Sequence, residues 1–501
     1  MAITTRKEDF SNWFQDVIKE ADLACHSVVR GCMIFKPTGY ALWESLQKIL
    51  DKKIKETGHQ NVYFPLLIPL SFFEKEAKHV EGFAKECAVV THYRLEPDGK
   101  GGLEPAKDSK LAEPLVIRPT SEAIIGEAIS SWIQSYKDLP VLINQWCNVM
   151  RWEMRTKMFL RTSEFLWQEG HTAHATREEA EEESLKMLEV YEDLAHNYLA
   201  IPVLKGEKTP AERFPGAVNT YTIETMMQDG KALQAGTSHF LGQNFSKAYD
   251  ITYADKEQKM QHAWTTSWGV TTRLIGALIM THSDDFGLVL PPKMAPDQVV
   301  IIPIVKKNQD KQEILGYCEA LAASLRALTF NGEGIRVKVD ASPKEPVDKF
   351  WDAVKKGIPV RLEIGPRDKE ARQVSMSLRN KEAKDRTALP IEELLKTIPS
   401  TLENIQQDLY NKALNFRLEN SKHIESVGEL ETLFSKDENY AGGFAYAFFD
   451  PECESQPDVE AKLKELKVTT RCLPFENKNE EGLCIFTKKL VKGKVIFAKS
   501  Y

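Results

Sequence analysis

Three arginines in three short segments carry the chemistry most visible in this sequence. Arg151 opens Arg151-Trp152-Glu153, Arg161 opens Arg161-Thr162-Ser163-Glu164-Phe165, and Arg273 closes Gly269-Val270-Thr271-Thr272-Arg273. A planar guanidinium offers paired donors to carboxylate or phosphate oxygens. Joining a carboxylate to the α-phosphate of a nucleotide triphosphate needs such cations, because positioning and charge neutralisation matter more there than a strong base. Glu153, two positions from Arg151 on what reads as a strand, would share its face and could accept from an adenine amine or orient an arginine. Taken alone, Arg151 and Glu153 also read as a surface salt bridge. Between the arginine segments, Gln234-Ala235-Gly236-Thr237-Ser238-His239 is a run of small polar residues able to approach a ligand closely.

The elements that must hold these residues are partly legible. A length of 501 residues implies roughly two to four domains. With 42% hydrophobic and 28% charged residues there is apolar material for several cores. No run of about 18 uncharged apolar residues exists, which argues against a membrane span. The first twenty positions carry Glu8, Asp9, Asp16 and Glu20 and lack the apolar stretch of a secretion signal. Eight cysteines with no CxxC suggest reduced thiols in a cytoplasmic compartment. A net charge of −7 and a pI near 6.0 carry no global nucleic-acid signal, although locally clustered cations would still permit one.

Along the chain, Phe10, Trp13, Phe14, Val17 and Ile18 mark one face of a helix, and Leu42, Leu46, Leu50 and Ile54 another over 40–56. Residues 62–69 read as a strand interrupted by proline, suited to an edge or interface. Residues 96–112 read as an exposed loop. Its glycines 99, 101 and 102 lack the strand–helix setting of a phosphate loop, and Pro105 follows. Thr176-Arg177-Glu178-Glu179 is a capping box, opening a helix with Met187, Tyr191, Leu194 and Tyr198 on one face. The acidic run 178–183 reads as its solvated first turns. Pro291, Pro292 and Pro296 mark a linker. After it, a strand over 299–304, a helix over 311–328, a strand over 335–339, a helix over 349–356 and a strand over 360–364 predict a compact α/β domain. From Ile398 an amphipathic helix and short strands follow.

The runs Asn144-Gln145-Trp146-Cys147-Asn148-Val149, Arg151-Trp152-Glu153 and Phe159 through His171 resemble the motif 2 region of prolyl-tRNA synthetases. Gly269 to Arg273 and the helix after it resemble motif 3, and residues 58–65 resemble motif 1, a dimer-interface element. The likeness runs through nearly the whole chain and is to the archaeal and eukaryotic-like type of this class II family, without an inserted editing domain. It implies an α+β architecture: an antiparallel-sheet catalytic domain over 1–287, an α/β anticodon-binding domain over 288–397, and a small α+β C-terminal domain of degenerate zinc-binding type over 398–501. It implies a cytoplasmic homodimer that uses ATP and Mg²⁺ to turn L-proline into prolyl-adenylate and passes it to the 3′ end of tRNA(Pro). By the same likeness Arg151, Glu153 and Arg273 are catalytic, and Arg151, Glu153, Arg161, Thr162, Gln234, Thr237, Thr271 and Arg273 contact ATP. Thr120, Glu122, Arg151, Phe165, Trp167, His171, Ser238 and His239 would hold proline. Thr120 and Glu122 offer a hydroxyl and a carboxylate to its ammonium, the two aromatics wall its ring, and the histidines form polar edges; Phe165 also reads simply as core.

Departures from the family pattern shape further expectations. Some members insert an editing domain between motifs 2 and 3, and the stretch from 171 to 234 is too short for one. A proline pocket cannot sterically exclude alanine or cysteine, because a few missing methylenes are worth only about 1–3 kcal/mol each. Misactivation without cis-editing is therefore expected. Phe350 and Arg361 are the expected anticodon-binding residues, suited to stacking on and hydrogen-bonding unpaired bases. Val347-Asp348 stands where the family has glycine-tryptophan, and Val354 where it has glutamate. Of the family's four zinc cysteines only Cys453 and Cys484 remain, with Phe448 and Thr487 at the partner positions. Two thiolates cannot close a tetrahedral site, so no structural zinc and no other metal ligand is expected, with Phe444, Phe448, Phe449, Phe475 and Phe486 packing the domain instead. The ending Phe497-Ala498-Lys499-Ser500-Tyr501 resembles the family terminus, where the tyrosine reaches toward the active site. Lys488, Lys489, Lys492 and Lys494 read equally as tRNA contacts or a solvated edge. A tRNA-binding relative that charges nothing would have lost Arg151, Glu153 or Arg273, and a threonine enzyme would use pocket zinc in place of the aromatic wall.

Overall fold

Two long strands, Val141–Met150 and Glu164–His174, pair antiparallel from Val141 against Ala173 to Met150 against Glu164. They belong to a computed structural model that describes residues 3–75, 87–305, 311–435 and 442–501. Trp264–Thr271, Ala232–Gly242 and Asn219–Met226 extend the sheet antiparallel on one side. Leu204–Glu207 and Leu473–Pro474 follow at that edge, and Gln60–Asn61 pairs in parallel at the other, giving eight strands. One face is covered by helices Phe10–Glu20, Pro37–Glu56, Arg177–Asp193 and Arg273–His282, whose apolar stripes form a single core containing Trp13, Phe14, Leu46, Met187, Tyr191 and Leu278. The expected capping box is present: Thr176 Oγ1 accepts from Glu179 N, and the Glu179 carboxylate accepts from Thr176 N.

Gly170 lies directly opposite Trp268 in the central pair of strands. A Cβ at 170 would sit 2.1 Å from the Trp268 indole, which is 2% exposed and hemmed in by core. Gly170→Ala is therefore expected to destabilise the fold by at least about 1–3 kcal/mol through overpacking, read as a lowered Tm in thermal unfolding.

Two expectations are corrected by the outer elements. Residues 62–69 are not one strand. Gln60–Asn61 pairs with the large sheet, while Leu67–Pro69 joins Lys110–Ile117 in a separate three-stranded sheet, the chain turning away around Pro65. The exposed segment near 96–112 contains a two-stranded hairpin, Leu95–Pro97 with Leu103–Pro105. Its glycine turn is closed by Asp98, whose carboxylate accepts from Lys100 N and Gly102 N at 2.8 Å each.

In the second domain Val299–Pro303 runs parallel to both Val337–Val339 and Val360–Ile364, and Gln373–Leu378 and Thr387–Pro390 complete the sheet antiparallel. Helix Ile391–Glu419 lays Leu394, Ile398, Leu402, Ile405 and Leu409 on this domain's core. The boundary expected at 397/398 thus falls inside a helix that belongs to the α/β core. Beyond it, Ser421–His423, Phe444–Phe448, Lys494–Ala498 and Thr469–Thr470 form a four-stranded sheet around Phe434, Phe449 and Phe497.

Candidate active site

The open face of the eight-stranded sheet carries the site. Phe165, Trp167, Glu169 and His171 alternate onto one side of Glu164–His174, as the pleat requires, and line a single cleft. Ser267, Gly269 and Thr271 line it from the neighbouring strand, and Thr237 and His239 from the next. A bulge opposite Ile223/Glu224 leaves Ala235 unpaired and brings Gln234 to the same cleft. Thr120 and Glu122 enter from the start of helix Glu122–Trp132.

The three arginines converge on this cleft. Arg151 follows the end of its strand. Its N donates to Ser163 O at 2.8 Å, its Nε donates to Pro119 O at 3.0 Å, and its guanidinium lies 5.6 and 5.7 Å from the Phe165 and Trp167 ring centres. Glu153 is not on a strand. A tight turn, Glu153 N to Arg151 O at 2.7 Å, brings it to the cleft, and its carboxylate accepts from Arg161 Nε at 2.6 Å rather than pairing along a strand with Arg151. Arg273 begins the helix after motif 3; its N donates to Thr271 Oγ1 at 3.0 Å and its Nε to Leu160 O at 3.1 Å. Burial and the positive charges of Arg151 and Arg471 lower its guanidinium to about 10, so it stays charged at neutral pH.

The remaining part of the cleft is organised by a carboxylate. Glu169, 3% exposed, accepts from Ser121 Oγ at 2.5 Å and Gln145 Nε2 at 2.8 Å, and faces His171 Nε2 at 3.0 Å. Burial disfavours both charges, but the His171 contact and the two donors hold the Glu169 carboxyl below its ordinary value. The same contact outweighs burial at His171 and raises it. Beside them Trp167 Nε1 donates to Cys147 Sγ at 3.0 Å, and burial with the Glu169 charge pushes that thiol up to about 12. His239 stacks on Phe214 at 4.5 Å and meets Thr220 Oγ1 at 3.1 Å. Burial and the neighbouring His171 lower it to about 3, leaving a neutral imidazole. Thr120 Oγ1 donates to the Glu122 carboxylate.

Thr120, Glu122, Arg151, Glu153, Arg161, Thr162, Phe165, Trp167, His171, Gln234, Thr237, His239, Thr271 and Arg273 are thus gathered in one place. Ser238 is the exception. On a strand its neighbours Thr237 and His239 take the cleft side, and the Ser238 hydroxyl points the other way, donating to Ser184 O at 2.7 Å. Glu169 is not among the expected site residues, although Trp167, Glu169 and His171 stand at strand alternation, a signal present in the sequence. Glu212, Arg213 and Phe214 also line the cleft, from a segment with no such signal.

Phe350 and Arg361 lie together in the α/β domain but are only 5% and 1% exposed. Arg361 and Arg386 both lie over the Phe350 ring, at 5.0 and 5.2 Å, so the half-exposed Arg386 is the more accessible cation there. Val354, at the family's glutamate position, packs with Val300, Ile302 and Phe350 in an apolar cluster. In the C-terminal domain Cys453 and Cys484 are both fully buried, and Cys484 Sγ accepts from Asp450 N and Thr487 N at 3.3 and 3.4 Å. Among the described residues no three His, Cys, Asp or Glu side chains gather to hold a metal, and no helix is long and apolar enough to cross a membrane.

An antiparallel sheet with arginines placed in this way, a motif 3 helix and an appended α/β domain define a class II aminoacyl-tRNA synthetase. The family model "tRNA synthetase class II core domain (G, H, P, S and T)" matches residues 103–282, and "Anticodon binding domain" matches 298–401. The model "Prolyl-tRNA synthetase, C-terminal" matches 436–501. A proline–tRNA ligase of Bdellovibrio bacteriovorus is 55% identical over 501 residues, covering 100% of this chain and 99% of that protein. One of Rhodopirellula baltica is 55% identical, covering 99% and 97%. A crystal structure of prolyl-tRNA synthetase from Cryptosporidium parvum, complexed with halofuginone and AMPPNP, superposes with a TM-score of 0.90 at 36% identity, covering 100% of this chain and 97% of that one. The chain belongs to the proline–tRNA ligase family.

Proposed function

We propose that the cleft condenses L-proline with ATP to prolyl-adenylate and transfers the prolyl group to tRNA(Pro). The observation that carries this reading is the position of Arg151 over Phe165 and Trp167, with Arg161 and Arg273 lining the same cleft. One guanidinium is then set to bridge the carboxylate of a ring held by the aromatics and the α-phosphate, while the other two neutralise the remaining phosphates. Thr120 and Glu122 take the secondary ammonium, and Glu153, Thr162, Gln234, Thr237 and Thr271 contact the nucleotide. Mg²⁺ enters as the counter-ion of ATP, with phosphate oxygens and water as most of its shell. Arg386, half-exposed over the buried Phe350 and Arg361, supplies the accessible cation of the anticodon surface, with those two residues holding it from beneath. The deciding measurement is ATP–pyrophosphate exchange across amino acids: proline-dependent exchange is expected, and its absence in the folded protein would sink the reading.

The same assay bears on fidelity. Nothing in the cleft excludes alanine sterically, so weak alanine-dependent exchange is expected. The segment between the motifs is filled by helix Arg177–Asp193 and sheet strands. Purified protein is therefore expected not to hydrolyse Ala-tRNA(Pro), checked by following deacylation of the preformed ester. Tyr63, Leu67, Val89, Tyr93 and Trp132 are exposed on the elements around motif 1, which supports a homodimer formed through that face; sedimentation as a monomer would contradict it.

A further inference from the structure

The C-terminal domain enters the catalytic sheet. Leu473–Pro474 pairs with Gly206 and Glu207 as the outermost strand, and the approach is so close that a Cβ at 206 would meet Leu473 O at 2.6 Å. One residue group further along, Arg471 reaches Glu224 on strand Asn219–Met226, its Nε and Nη2 donating to Oε2 at 3.1 and 2.9 Å. The other oxygen accepts from Lys208 Nζ at 2.9 Å and Thr222 Oγ1 at 3.1 Å. Glu224 is wholly buried, Lys208 is 3% and Arg471 7% exposed. Burial opposes the charge, but Arg471 and Lys208 hold the carboxyl below its ordinary value. A fully satisfied buried network of this kind fixes geometry more than it adds stability.

What it fixes is the bulge. Glu224 pairs across with Gln234, immediately beside the register shift that frees Ala235, and Thr222 Oγ1 also reaches Gly236 O at 3.3 Å. Bulges re-aim the side chains on either side of the extra residue. Here Gln234 directly precedes the extra residue and Thr237 follows two places after it, beyond Gly236, and both line the cleft.

We propose that Arg471, delivered by the C-terminal domain, is a positioning residue for the nucleotide: through Glu224 it pins the bulge that aims Gln234 and Thr237 at ATP. The inference rests on the reading of this part of the cleft as the nucleotide site. It makes the C-terminal domain a structural part of amino-acid activation, a step that needs no tRNA.

The test is steady-state ATP–pyrophosphate exchange by the full-length protein. Arg471→Met removes one of two cations and leaves the Lys208–Glu224 pair neutral, so the fold keeps a compensated core. It is expected to raise the KM for ATP about tenfold, while the KM for proline moves by less than about twofold. Arg471→Lys should recover most of the loss. Thr222→Val, which leaves the ion pairs intact and removes the hydroxyl that touches both Glu224 and Gly236 O, should shift the KM for ATP in the same direction and keeps the test open if Arg471→Met does not fold. An unchanged KM for ATP in both variants, or equal changes for ATP and proline, overturns the proposal. Failure of the nucleotide reading itself would look different: Arg273→Ala would then leave the KM for ATP unchanged.

Discussion

Arg151→Ala is expected to lower proline-dependent ATP–pyrophosphate exchange by about 10²–10³-fold, chiefly in kcat, the scale of removing one fixed donor from a developing charge. The reason lies in how the side chain is held. Its Nε donates to Pro119 O at 3.0 Å, which fixes a guanidinium that lines the cleft over Phe165 and Trp167. A cation placed there is set before the substrates arrive, so no reorganisation is spent when the carboxylate attacks and charge builds on the α-phosphate. Arg161 and Arg273 remain in the variant, so ATP binding should weaken less than catalysis, and the KM for ATP separates the two effects. Arg151→Lys should not restore activity, because an ammonium cannot keep the Pro119 contact and present a paired donor at once. A loss smaller than about tenfold would place Arg151 away from the reacting atoms.

How much of this was legible in the sequence follows from how far apart the interacting residues are. The arginine segments are contiguous runs, and their chemistry survives without any knowledge of the fold. The capping box at Thr176 and the strand at 360–364 are equally local and appear as read. Ser238 departs from expectation because Gln234 to His239 reads in the sequence only as small polar residues able to approach a ligand closely, which does not say which of them face it. Its real setting is a strand, where alternation turns every second hydroxyl away from the cleft. The spacing of Glu153 from Arg151 predicts a shared strand, but Glu153 reaches the cleft through a turn after the strand has ended, which directs its pairing to Arg161. Phe350 and Arg361 stand out as a pair in the sequence, but their burial beneath Arg386 depends on packing among three elements. Lys208, Glu224 and Arg471 had no sequence signal at all, since a buried triad across two domains shows only as isolated charges.

Glu169→Gln should produce the largest change outside the arginines, in both stability and proline binding. The carboxylate is the common acceptor for Ser121, Gln145 and His171. A glutamine of the same shape keeps one acceptor oxygen and turns a donor toward one of these groups. It also strips His171 of its counter-charge, and breaking a buried ionic contact from one side costs about 3–5 kcal/mol. The pH dependence identifies the cause. Glu169 is lowered from 4.5, so its contribution is complete above that value and is lost as pH falls through the lowered one. His171 is raised from 6.5, so its contribution is complete below 6.5 and is lost as pH rises through the raised value. The stability difference between wild type and Glu169→Gln should therefore be widest between 4.5 and 6.5 and shrink on both sides, measured by denaturant unfolding across pH. A difference flat from acid to alkaline pH would mean that His171 is uncharged and that Glu169 acts only as a hydrogen-bond acceptor. Because Ser121 and His171 flank Thr120, Glu122 and the aromatic wall, the KM for proline should rise by up to about a hundredfold, as expected for groups displaced by around an ångström. The KM for ATP should move far less, since the nucleotide contacts come from other strands.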